Sequence, residues 1–303
     1  MKTKIIITII CLISISLAKA QQLPIYSQYM FNSFLINPAT AGSVSYFPIR
    51  LTARNQWAGM SQAPKTQAIS AHTLINGRTE AVGGYLFNDK YGPVSRTGAL
   101  AAFAHHINID KYSSKLALGL SVSAFQIKLD QREMNLNDKN DPLISGAIEQ
   151  KFMPDAAFGA YYYTSQYYVG VSAAQLFQFK VNLGENATKQ SALVRHYYFM
   201  AGYNYAISND FDIEPSLLLK TTKGTAIQAD INARVYYKKD YWLGISYRTS
   251  DAIIAFLGVK YKDFVLGYAF DYTTSIVGNY SNGSHEIMLG YNLKGKSKGS
   301  SLL

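Results

Sequence analysis

From Ile227 to Tyr237 the chain reads I-Q-A-D-I-N-A-R-V-Y-Y. Ile227, Ala229, Ile231, Ala233, Val235 and Tyr237 alternate with Gln228, Asp230, Asn232, Arg234 and Tyr236. A period of two sends successive side chains to opposite faces, so the run predicts a β-strand with one apolar and one polar face. About 9–11 residues in a tilted strand suffice to cross a membrane core. A soluble sandwich uses the same alternation, so its recurrence along the chain has to decide.

It recurs throughout. Strands are predicted over 49–57, 66–75, 81–88, 97–107, 116–125, 155–163, 167–174, 195–206, 211–220, 227–237, 241–248, 252–261, 264–272 and 285–293. That gives about fourteen, an even number as single-chain bacterial barrels have. Gaps after even-numbered strands are short: 76–78, 164–166, 208–210, 238–240 and 262–263. The three longest, 130–154, 175–194 and 273–284, all follow odd-numbered strands. Short turns on one rim and long loops on the other are the arrangement of an outer-membrane barrel, with the turns in the periplasm. The fold class so predicted is all-β: a transmembrane antiparallel barrel of about 14 strands, preceded by an irregular N-terminal segment.

The ends complete this division. Lys2 and Lys4, the apolar run Ile5–Leu17 and the small-x-small Ala18-Lys19-Ala20 have the anatomy of a signal peptide over 1–20. Residues 21–47, broken by Pro24, Pro38 and Gly42, form a periplasmic or plug segment. Met30, Phe31, Phe34, Leu35 and Ile36 make it too apolar for a solvated tail. The barrel occupies 48–293, and 294–303 is a C-terminal tail.

Composition narrows the chemistry. The chain's one cysteine, Cys11, falls within the signal peptide, which leaves no disulfide and no thiolate ligand. The formal charge is +10, without a basic helix or a run of five Lys/Arg, so nucleic acid is not an expected partner; outer-membrane lipid is. There are 24 Tyr and 15 Phe against 2 Trp. Tyrosines crowd the short turns at Tyr161-Tyr162-Tyr163, Tyr167-Tyr168, Tyr236-Tyr237 and Tyr241-Trp242, which predicts an aromatic girdle at the headgroups. Glycines inside strands, among them Gly83, Gly119, Gly159 and Gly267, either relieve curvature or make room in the lumen.

Candidate catalytic groups are sparse. His105-His106 point to opposite faces, His72, His196 and His285 stand alone, and neither His-x-x-x-His nor Gly-x-Ser-x-Gly occurs. No catalytic residue, metal or cofactor is expected. The informative groups are polar residues on predicted inner faces: Gln228, Asp230, Asn232 and Arg234, with Arg50, Arg54, His72, Lys128, Glu214, Lys220, Arg248, Lys260, Asp271 and Glu286 elsewhere. Mixed acids and bases would line a water-filled channel or pair with a plug.

The opening residues Tyr26-Ser27-Gln28-Tyr29-Met30-Phe31-Asn32, then Ile36-Asn37-Pro38-Ala39 and Ala41-Gly42, resemble the N-terminal signature of the PorP/SprF family. Arg54-Asn55-Gln56-Trp57, Pro64-Lys65-Thr66, His72 and the closing Ser284–Leu293 continue the likeness, while the tail 294–303 departs from a barrel ending at its last strand. The resemblance implies an outer-membrane component of the type IX secretion system. It implies two partners: a secreted protein with a type B C-terminal domain, such as a gliding adhesin anchored at the cell surface, and a periplasmic secretion-system or peptidoglycan-binding component. It also implies partner-binding roles for Tyr26, Gln28, Tyr29, Asn37, Pro38, Gly42, Arg54 and Trp57. A porin-like solute channel is the alternative, and an outer-membrane hydrolase a more distant one.

Overall fold

In the computed structural model, residues 23–75, 79–110, 114–134, 146–181 and 191–293 are described; the expected signal peptide, the turn 76–78 and the tail 294–303 lie outside them. Fourteen antiparallel strands follow one another around a closed barrel. They are β1 (Phe47–Asn55), β2 (Lys65–Leu74), β3 (Glu80–Tyr91), β4 (Val94–Asn108), β5 (Lys115–Asp130), β6 (Ile148–Tyr163) and β7 (Tyr167–Ala174). Next come β8 (His196–Tyr203, resumed at Tyr205–Ala206), β9 (Phe211–Thr222), β10 (Gln228–Tyr237), β11 (Tyr241–Arg248), β12 (Ala252–Tyr261), β13 (Phe264–Thr273) and β14 (Ser284–Leu293). β14 pairs back onto β1, with Arg54 opposite Glu286 and Phe47 opposite Leu293. Every barrel strand therefore has two neighbours over at least part of its length, and the sheet closes on itself.

The alternation read from the sequence sorts side chains across this wall. On β10 and β11, Ile231, Val235, Leu243 and Ile245 are exposed on the outside, whereas Asp230, Arg234 and Arg248 are at most 1 % exposed inside. Exposed aliphatics with fully buried guanidinium and carboxylate groups invert the order of a water-soluble protein, and suit a wall in contact with lipid. Outside, beside the short turns, aromatic rings pair up: Phe211 with Tyr237 at 5.0 Å, Tyr162 with Tyr167 at 5.9 Å and Phe264 with Tyr291 at 4.8 Å.

Three expectations are corrected. Only four of the nine crowded aromatics belong to this outer belt: Tyr161, Tyr163, Tyr168, Tyr236 and Trp242 are buried inside. Adjacent strand residues face opposite ways, so each aromatic pair sends one ring to lipid and one to the lumen floor. The expected loop 130–154 is shorter, because β5 runs to Asp130 and β6 starts at Ile148, pairing Asp130 with Ile148 and Ala124 with Pro154. β7 ends at Ala174 opposite the Phe158 region, so Pro154 lies where β6 has one neighbour and a missing N–H is tolerated. The connection after β3 is also a tight one, through Gly92 at φ +56 and Pro93.

Residues 23–46 run inside the barrel, through three single 3-10 turns at Tyr29–Phe31, Ser33–Leu35 and Pro38–Thr40. They rise from the short-turn rim, where β1 begins, and Leu23 and Pro24 end beside Thr221 and Thr222 at the long-loop end of β9. The long-loop rim carries its own cover. Val181 and Leu193, flanking residues 182–190 that lie outside the described set, pack onto Phe125, Ile127 and Met153.

Candidate functional site

The inner segment meets the barrel at three places, each built from residues of the N-terminal signature. The first is an ion network across the β1–β14 seam. Backbone N–H groups of Ser27 and Gln28 donate to the two Glu286 oxygens at 2.7 and 2.8 Å, and Ser27 Oγ donates to Asp271 at 2.8–2.9 Å. Arg54 closes the circuit, donating to Asp271 at 2.7 Å, to Ser27 Oγ at 2.7 Å and to Glu286 at 3.5 Å. Arg248 grips Asp230 with two parallel bonds of 3.0 Å, reaches Asp271 at 3.5 Å and touches the Tyr26 carbonyl, also at 3.5 Å. Lys220 adds a contact to Asp230 at 3.3 Å, and Arg234 pairs with Glu214.

Four cations (Arg54, Lys220, Arg234, Arg248) thus face four carboxylates (Glu214, Asp230, Asp271, Glu286), all below 9 % exposure. Unpaired charges at that burial are prohibitively costly, so the balance and the hydrogen bonds around it are what allow them inside. Bidentate Arg–carboxylate geometry further fixes where the strands and the segment sit.

The second contact is central. Tyr29 Oη accepts from Asn232 Nδ2 at 2.7 Å, and the Arg234 guanidinium lies 4.7 Å over the Phe31 ring, which packs against Trp242 at 4.8 Å with the rings tilted by 37°. The third is a seat in the wall. Gly119 and Gly159 oppose each other across β5 and β6, and a Cβ on either would collide with the Asn37–Ala39 turn. Two missing side chains leave a flat patch against which that turn lies. Asn37 caps the turn, accepting from Ala39 N–H at 3.0 Å, and its Nδ2 donates to the carbonyls of Ala160 and Val171 at 3.2 and 3.3 Å. Pro38 follows as first residue of the turn, where its lack of an N–H costs nothing.

Gly42, at φ +74, then bends the chain out towards β1. Its N–H donates to His72 Nδ1 at 3.0 Å. His106 Nε2 donates to the Ala41 carbonyl at 2.7 Å while its Nδ1 accepts from Tyr163 Oη at 2.9 Å, one neutral tautomer serving both.

The sequence-predicted residues are therefore placed as follows. Tyr26, Gln28, Tyr29, Asn37, Pro38, Gly42 and Arg54 are all buried where the inner segment meets the wall. Trp57 is not among them: it stands half-buried on the long-loop rim, its N–H on Ser284 Oγ at 3.0 Å. Asp230, Asn232 and Arg234 are on the inner face and join the network; Gln228 is only half-buried and reaches the Thr249 carbonyl at 3.5 Å. Sequence reading missed the paired glycine seat, His106 and the inward tyrosines. A Gly at matching depth in two consecutive strands was the available signal for the first.

A closed fourteen-stranded barrel with an apolar exterior and a lumen occupied by its own N-terminal chain defines an outer-membrane protein. The family of "Type IX secretion system membrane protein PorP/SprF" matches residues 18–291, and the chain belongs to it. No curated protein matches the chain. Among solved structures, a Pseudomonas aeruginosa FadL homologue superposes with a TM-score of 0.50 at 9% identity, over 90% of this chain and 95% of that one. Omp33 of Acinetobacter baumannii gives 0.47 at 8% identity over 83% and 100%, and the monoaromatic hydrocarbon channel CymD 0.47 at 12% over 90% and 94%. The first of these likenesses extends to the barrel fold alone.

Proposed function

We propose that this protein is a plugged anchor of the type IX secretion system. A secreted protein bearing a type B C-terminal domain, such as a gliding adhesin, docks on its long-loop mouth at the cell surface. A periplasmic secretion or peptidoglycan-binding component engages the short-turn mouth, which faces inward by the usual disposition of such barrels. The observation that supports this reading best is the lumen: a segment held by buried ion pairs and a glycine seat leaves no path for a folded passenger. The work is mechanical rather than catalytic.

Tyr26, Gln28, Tyr29, Asn37, Pro38, Gly42 and Arg54 serve docking at one remove, by fixing the inner segment; Trp57 sits on the rim where a partner can touch it. Affinity purification from cross-linked native envelopes tests the reading. Recovery of a secreted adhesin together with a secretion-system component supports it, and recovery of neither sinks it. A steady, open conductance in a planar bilayer would favour the solute channel instead.

A further inference from the structure

At the short-turn mouth, on the lumen side of the wall, lies a cavity of about 190 Å³. Its walls are aromatic: Tyr46, Tyr236, Trp242 and, from the inner segment, Phe31. Its rim is cationic: Lys239 and Lys262 from two turns, Lys260 at the end of β12, and Arg50 within β1. Asp263 is the one carboxylate lining it; Asp212 and Asp240 approach Lys239 and Lys260 only at 3.8 Å.

Two buried donors there lack a protein acceptor. Arg50 is 5 % exposed and Trp242 6 %, yet Arg50 Nε and Trp242 Nε1 have no hydrogen-bond partner among the described residues. Arg50 spends Nη1 on the neighbouring Ile49 carbonyl at 3.1 Å. Elsewhere in this lumen each buried arginine faces a carboxylate or aromatic ring at close range; Arg50 has only neutral partners, the Tyr46 side chain, whose ring centre lies 5.9 Å away, and the Ile49 carbonyl. A buried guanidinium without an anion is costly, and an arriving carboxylate would repair it. Lys238 and Lys239 are the first two residues of the three-residue turn 238–240, both with positive φ, and Lys262 has φ +55, positions where Gly or Asn is the usual choice.

We infer that this pocket binds the carboxylate of a polypeptide entering from the periplasm, with an apolar or aromatic side chain beside it. The aromatic walls take that side chain, Arg50 and Trp242 take the oxygens, and the three lysines draw the acid to the mouth. A phospholipid headgroup fits less well, because the lining faces the lumen and not the surrounding leaflet. The inference rests on the periplasmic half of the reading above and gives that contact a place and a chemistry.

Trp242 is its own reporter. In a Trp57→Phe background, the fluorescence of the full-length detergent-solubilised barrel is titrated with an N-acetylated tetrapeptide ending in two leucines and a free carboxylate. The same peptide as its C-terminal amide, and one carrying an internal aspartate with an amide end, separate an α-carboxylate from an acidic side chain. Saturable binding of either acid, at least about tenfold tighter than the plain amide, is expected, a difference of about 1.4 kcal/mol. Lys239→Gln with Lys262→Gln, both solvent-exposed turn positions, should weaken it about tenfold and flatten its salt dependence.

Equal binding of acid and amide, no binding at all, or indifference to the double lysine change overturns the proposal. Trp242→Phe, followed by peptide-dependent protection of the mouth from trypsin, should also reduce affinity while the barrel still folds. Peptide binding with no periplasmic protein recovered from envelopes would refute the anchoring reading alone; the converse would refute only this pocket.

Discussion

Arg54 joins three separate pieces of chain: the segment at Ser27, β13 at Asp271 and β14 at Glu286. Replacing it with Met leaves two carboxylates facing each other at under 3 % exposure, a change of the kind that costs about 3–5 kcal/mol. Arg54→Met should therefore lower the denaturant midpoint of the detergent-folded protein. It should also open the segment, which holds no Lys or Arg but several aromatic residues, to chymotrypsin. An unchanged midpoint and an intact segment would mean that the network is incidental. Gly119→Val makes a steric counterpart, driving a branched side chain into the Pro38–Ala39 backbone. Overpacking of that sort costs about 1–3 kcal/mol, and the chymotrypsin assay should show the turn released while the strand registers persist.

At the level of elements, the strands were legible because each carries its own period-two signal. On β10 the run Asp230, Asn232, Arg234 needs no neighbour to declare a polar face. What the pattern leaves open is which water-loving face meets water. Glu286 and Asp271 read alike whether they line a channel or grip a plug, and only the three-dimensional pairing with Ser27 and Arg54 separates the two. The glycine seat was only half legible for a related reason: Gly119 and Gly159 stand out as strand glycines, but they are forty residues apart and gain meaning only from being opposite. Strand ends were read short where composition turns polar, as at Glu149-Gln150-Lys151, because ladder hydrogen bonds beyond the membrane do not require apolar side chains. The inner segment is the element whose removal is most informative. Deleting residues 23–46 while keeping residues 1–22 should convert a low-conductance barrel into one with a measurable open lumen in planar bilayers; equal conductance before and after would deny the segment any sealing role.

For the molecule as a whole, the inner chain has a direction. Residue 47 is fixed at the short-turn rim and Leu23 lies at the other end of the lumen, so the start of the segment approaches the long-loop face rather than the short-turn one. An epitope placed just before Leu23 should be reached by antibody on intact cells. Staining only after permeabilisation would mean that the segment runs the other way or the barrel is inverted. The seam between β1 and β14 adds something about biogenesis. These are the first and last strands to be made, and the residues that bridge them, Arg54 and Glu286, are the ones that clasp Ser27 and Gln28. The segment must then be in place before the cylinder shuts, acting as the mandrel on which the final pairing is wound. A peptide spanning 23–46 would rescue a truncated chain when present during refolding, and would arrive too late once the wall is complete.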